Sequence, residues 1–168
     1  MKIFTLGYQG LDLKTYIETL SANNVGIVLD VREVAWSYNR IYTKSNLQKS
    51  LLSSGIKYTH IRSAGNPSSN RKTATSVEDC LTKYRVYLKE NSSCLETLLE
   101  YIKSFRDEGV HVCLTCFEHL PHECHRSILT EELTEIEPNL QIFHLRTQKK
   151  SIETKGLSLF SDTIAQLL

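Results

Sequence analysis

The feature that most narrows the fold is the run Val25-Gly-Ile-Val-Leu-Asp-Val31, which is almost wholly apolar and stands between two stretches of helical spacing. A strand with one wet face alternates apolar and polar residues, whereas a strand covered on both faces has no need to. Helices must then lie on both sides of it. Before the run, Asp12 caps a helix carrying Leu13, Tyr16, Ile17 and Leu20 at helical spacing, and Asn23-Asn24 interrupts it. After the run, Thr43 opens a short helix through Leu47 and Leu51, Gly55 closes it, and a strand follows over 56–61. Further strands at 3–6, 110–115 and 140–145, with helices from Ser76, from Ser93 and over 127–136, continue the alternation. The pattern predicts an α/β fold, a three-layer α/β/α sandwich on a mostly parallel sheet of about five strands. Residues 62–75, with Gly65, Pro67 and the polar run from Ser68, lack any period and read as a mobile surface loop.

The chain has 168 residues, which suits one core: a single α/β domain over 1–146, with 147–168 as a tail packed on it or extending from it. Twenty basic and 19 acidic residues leave a formal charge of +1, so no global field recruits a polyanion or an anionic membrane, and anion binding has to be local. No apolar run approaches the ~20 residues of a membrane helix, and the expected location is the cytoplasm. Five cysteines, three of them crowded beside histidines, suit reduced thiols better than a disulfide framework.

In an open parallel sheet, ligands bind beyond the carboxyl ends of the strands. The loops that leave those ends hold Gly7-Tyr8-Gln9-Gly10, residues 32–40, residues 62–71 and the segment from Cys116 to Arg126, so their side chains are expected to meet at one edge. Cys116 ends a strand, and Cys124-His125-Arg126 begins the next helix. A thiol at that positive helix end, beside an arginine, favours the thiolate, and Arg126 can fork onto a carboxylate or phosphate. Glu118 is a candidate general base or a partner that orients His125. The candidate catalytic residues are therefore Cys116, Glu118, Cys124 and His125. The candidate substrate-binding residues are Tyr8, Arg32, Tyr58, His60 and Arg126, with Trp36, Tyr38, Tyr42, Arg40, Lys44, Arg71 and Lys72 adding aromatic and basic surface nearby. Cys113 reads as a small core residue, and Asp30 as a strand-end acid that bonds backbone N–H groups.

Cys116, His119, His122, Cys124 and His125 would also supply zinc ligands, but all of them lie in one loop. Structural zinc sites usually draw pairs from separate segments, so the expectation is no metal and no cofactor.

Together these pieces resemble the domain of unknown function 488 family, small bacterial and archaeal α/β proteins. The resemblance rests on Thr5-Leu6-Gly7-Tyr8-Gln9-Gly10, Asp30-Val31-Arg32, Tyr42-Thr43-Lys44 with Leu47, Gly55-Ile56 with Tyr58 and His60, and Ala64-Gly65-Asn66-Pro67. Its most specific part is Cys116-x-Glu118-x-x-Pro121-x-x-Cys124-His125-Arg126. Ala35 and Tyr38 depart from the family's usual Pro and Arg. The resemblance implies the fold and the site and brings no reaction. The strand, Cys loop and helix are also similar in layout to rhodanese and cysteine-phosphatase domains, although residues 117–125 make a longer loop than those enzymes place between Cys and Arg.

Two functions stay open. One is an enzyme acting on a small anionic, phosphate- or nucleotide-like substrate, with Cys116 or Cys124 as nucleophile and His125 or Glu118 moving protons. The other is a non-catalytic module for nucleotide or nucleic acid with structural cysteines. The balanced charge favours the small ligand. The expected partner is a small anionic ligand, with nucleic acid as the alternative and no membrane; the oligomeric state is not legible.

Overall fold

The computed structural model describes residues 1–106 and 109–147. Residues 148–168, almost all of the expected tail, lie outside the described residues. The strands are β1 (Lys2–Gly7), β2 (Val25–Asp30), β3 (Lys57–His60), β4 (His111–Cys116) and β5 (Gln141–His144). They form one sheet in the order β3-β2-β4-β1-β5, and every pairing is parallel. The helices are α1 (Leu13–Ala22), α2 (Lys44–Leu52), α3 (Ser68–Thr73), α4 (Val77–Glu90), α5 (Ser93–Arg106) and α6 (His125–Ile136).

Period-two alternation decides which face each strand residue serves. Ile27 and Leu29 of β2, with Ile3, Val112 and Leu114, pack against Tyr84, Leu88, Leu98, Ile102 and Leu129 of α4, α5 and α6. Val28, Phe4, Leu6 and Cys113 face the other way, onto Tyr16, Leu20, Leu47 and Leu51 of α1 and α2. The two cores make the expected three layers, and β2 is apolar throughout because both of its faces are covered. Val25 shares a face with Val28 despite the odd spacing, because the register against β4 shifts between Val25 and Ile27. Asp12 caps α1 by accepting from the Thr15 N–H at 2.7 Å, and Ser76 caps α4 through the Asp79 N–H at 3.0 Å. Cys113 is fully buried, as its place in the strand requires.

Residues 62–75 differ from the expected mobile loop. They hold a 3-10 turn, Arg62–Ala64, and the short helix α3, and Ala64 and Asn66 are buried. Hydroxyls from α4 hold this segment: Tyr84 donates to the Ala64 carbonyl at 2.6 Å and Tyr87 to the Ser63 carbonyl at 3.0 Å. Sequence periodicity has no sight of tethers supplied by another helix. Tyr84→Phe leaves the buried Ala64 carbonyl without that donor, and a loss of about 1–2 kcal/mol is expected. Urea unfolding checks the size, and hydrogen exchange checks the place, which should be 62–66. Unchanged exchange there would mean that the tether is dispensable.

Candidate functional site

Because all the strands run parallel, their carboxyl ends share one edge, and the four loops do meet there. β1 ends at Gly7, opposite Cys116 of β4. The pairing continues past the strands as Tyr8 N–H donates to the Cys116 carbonyl, Gln9 N–H to that of Phe117, and Val31 N–H to that of Thr115. The Arg32 loop and the Cys116 loop are thereby held on either side of one cleft of about 720 Å³. That volume lies within the usual range for small-molecule sites. Its wall includes Tyr8, Arg32, Tyr42, Asn66 and Arg71, and Cys116, Phe117, Glu118 and His125 also line it.

The chemistry gathers around Cys116. Its thiol donates to Glu118 Oε2 at 3.2 Å and lies 3.6 Å from His125 Nδ1, while Cys124 Sγ lies 3.9 Å from the same nitrogen. Donor atoms of Cys116, Glu118, Cys124 and His125 all fall within 4.8 Å of one another. His125 Nε2 faces the Val31 carbonyl at 2.8 Å; a carbonyl only accepts, so Nε2 carries the proton and Nδ1 is left to face the sulfurs. Cys124 has extended backbone angles and occupies the N-cap position of α6, which places its sulfur at the positive end of that helix.

The environments drive the two thiols apart. Burial opposes a thiolate at Cys124, but the hydrogen bond from Cys116 and the charges of His125 and Arg126 outweigh burial and hold its thiol well below the ordinary range. Cys116 is pushed the other way, first by that hydrogen bond to Cys124 and then by burial. Burial, with the Cys124 charge behind it, lifts Glu118 to about 7. Burial disfavours the imidazolium of His125, and the neighbouring Cys124 charge more than offsets this, so His125 titrates above its usual value.

The two arginines act as braces. Arg32 sits against Asp30 through Nε and Nη2, and its Nη1 donates to the Tyr8 hydroxyl at 2.7 Å and the Tyr42 carbonyl at 2.9 Å. Burial works against its charge, and the hydrogen bonds and charge of Asp30 override it and keep the guanidinium protonated. Asp30 takes one backbone N–H, that of Arg32, and otherwise bonds side chains. Arg126 is 0% exposed, so its guanidinium does not reach the cleft. It donates instead to the Glu118 and His119 carbonyls at 2.5 and 2.9 Å and to Thr5 Oγ1 at 3.3 Å, which clamps the Cys116 loop onto β1.

Of the substrate-binding candidates, Tyr8 and Arg32 line the cleft, while Tyr58, His60 and Arg126 stand behind its wall. Tyr58 donates to Asp30 Oδ2 at 2.7 Å, and His60 Nε2 donates to the Arg32 carbonyl at 2.8 Å. Of the catalytic candidates, Cys116, Glu118 and His125 line the cleft and Cys124 lies behind them, 1% exposed. His119 and His122 stay apart from the cluster. Phe117, Gln9 and Val34, which the sequence placed in the converging loops without giving them a role, also line the cleft. Phe117 is exposed because it lies one residue past the end of β4, where it meets the Tyr8 ring edge to face. Val34, Trp36, Tyr38 and Phe117 leave an apolar, largely aromatic rim exposed to water.

Among the described residues, no helix is long and apolar enough to cross a membrane. No curated protein and no solved structure matches the chain. The model of the family described as Domain of unknown function DUF488 matches residues 12–133, and the chain belongs to that family.

Proposed function

We propose that the chain is an enzyme acting on a small nucleotide-like substrate, whose flat ring is held at the aromatic rim while its reacting atom sits over the cluster at the cleft floor. One observation carries this reading. The same 720 Å³ cavity is lined by exposed Trp36, Tyr38 and Phe117 and by Cys116, Glu118 and His125. Monomeric proteins seldom leave such an aromatic patch wet without a ligand for it, and polar reactive groups converging under an apolar wall mark a binding site. Trp36 and Tyr38 meet edge to face at 4.6 Å, so a base stacked on one ring is bounded by the other. Arg32 and Arg126 are occupied inside the wall, so an anionic group of the substrate meets Arg71, which borders the cleft paired with Glu33.

The test is calorimetric binding of nucleosides and nucleotides, followed by product analysis. Trp36→Ala with Tyr38→Ala should weaken binding about 10-fold or more, since base stacking contributes roughly 1–3 kcal/mol. Arg71→Ala should erase any preference for the nucleotide over its nucleoside. His125→Gln should abolish turnover and leave binding in place. Binding without turnover would make the chain a binding module, and no binding by any member of the series would end the reading.

A further inference from the structure

Spacing along the chain argued against zinc, because one loop seldom surrounds an ion. The fold changes the premise. Cys116 closes a central strand, and Cys124 and His125 open a helix, so the intervening loop returns and brings two separate rigid elements face to face. We propose that Cys116 Sγ, Cys124 Sγ and His125 Nδ1 bind a zinc ion, with Glu118 at a fourth position that faces the cleft. The use of the ion in catalysis rests on the enzyme reading above, whereas its presence does not.

A tetrahedral ion with bonds of about 2.3 Å to sulfur and 2.0–2.1 Å to nitrogen sets its ligands roughly 3.3–3.8 Å apart. The pairs here already stand at 3.2, 3.6 and 3.9 Å, and no pair among the four donor atoms exceeds 4.8 Å. Seating the ion therefore takes shifts of under about an ångström. Two thiolates, one imidazole and one carboxylate are the ligand types that borderline-soft zinc selects over magnesium or calcium. The histidine is prepared from behind as well: zinc-bound imidazoles usually donate their other N–H to a carbonyl or carboxylate, and His125 does so to Val31. Arg126 fixes the turn that carries Glu118 by holding the Glu118 and His119 carbonyls. Cys116 and Cys124 are 4% and 1% exposed, which suits ligands better than open nucleophiles, while Glu118 is the one member of the four that is only partly buried. A site with three fixed ligands and an exchangeable fourth toward a cleft has the layout of catalytic rather than structural zinc.

The test is metal analysis of the purified chain, with zinc titration after chelation. The expected result is about one zinc per chain, with cobalt substitution giving the intense visible bands of a tetrahedral thiolate site. Cys124→Ser should reduce occupancy more than 10-fold, and Cys80→Ser should leave it unchanged. Thiol labelling followed by peptide mass spectrometry covers the case in which Cys124→Ser does not fold, because in wild-type protein zinc should protect Cys116 and Cys124 and spare Cys80 from any change. Metal-free protein that takes up no zinc, with Cys116 and Cys124 labelled equally with and without it, overturns the proposal. Fast labelling of either cysteine under those conditions points to a thiolate nucleophile instead. A chain that holds zinc but binds no nucleotide sinks the cleft reading and leaves the metal site standing; nucleotide binding without zinc does the reverse.

Discussion

Gly7→Ala is expected to destabilise the protein by about 3 kcal/mol, the upper end of the usual cost of overpacking, and to dismantle the cluster in whatever fraction still folds. A Cβ at Gly7 would stand 1.7 Å from the Glu118 carbonyl oxygen and 2.6 Å from its carbon. Both are backbone atoms, so no rotamer change relieves the clash, and the loop has to lift. That oxygen is also the acceptor for Arg126 Nη1, itself 3.0 Å from the added atom, so lifting the loop removes the clamp that sets Glu118 beside Cys116. Gly55→Ala is the control: it has a φ of +75° with open space around it, and should cost only the left-handed backbone penalty of about 1–2 kcal/mol while leaving the site intact. Urea unfolding gives the stabilities, and zinc uptake or thiol labelling reports the site. A Gly7→Ala protein within about 0.5 kcal/mol of wild type, with normal uptake, would show that the contact between β1 and the loop is not tight.

Asp30→Ala should cost about 3–5 kcal/mol, a large part of a typical domain's stability. The acid is fully buried and Arg32 is 5% exposed, so removing the carboxylate leaves a largely buried guanidinium without its charged partner. Tyr58 loses its acceptor at the same time. Arg32→Met in the Asp30→Leu background should recover part of the loss, as apolar replacements of buried pairs often do. Recovery should stay incomplete, because Arg32 also ties down the Tyr42 carbonyl and the Tyr8 hydroxyl. Denaturation monitored by circular dichroism measures both, and a loss below about 1 kcal/mol for Asp30→Ala would mean that the pair contributes no more than a surface bridge.

Much of the architecture was legible because burial on two faces leaves its mark on composition. The uninterrupted apolar β2, the helical spacing of Tyr16 and Leu20, and the stops at Asn23 and Gly55 are all local signals, and the elements stand where those signals put them. Convergence of the loops followed from connectivity once every strand was parallel. What sequence withheld was direction. Arg126 is the second residue of α6, and nothing local tells a charged residue in a first turn that it will point inward to loop carbonyls. Tyr58 and His60 lie on edge strand β3 and turn toward Asp30 and the Arg32 carbonyl rather than into the cleft, a choice made by partners 28 positions away. Spacing along the Cys116 loop was a poor guide to proximity for the same reason, since distance along a loop says little about where its anchored ends meet: donor atoms of Cys116, Glu118, Cys124 and His125 lie within 4.8 Å of one another.

The strand order has a consequence for how the chain must assemble. β1 and β2 never pair with each other; β4 lies between them and is their common neighbour. A chain that stops before residue 111 holds β2 with β3, and β1 with no strand beside it, so no amount of time lets the first two-thirds of the sequence form a continuous sheet. Contacts of such long sequence separation are costly to close and slow to form. During synthesis, β1 and the inner edge of β2 therefore stay unpaired until the strand ending in Cys116 arrives. Its insertion joins β2 to β1, leaving β5 to add at the far side of β1, and delivers the first cysteine of the cluster in the same event, so a chain truncated within α5 should fail as a folding unit rather than persist as an inactive but stable fragment.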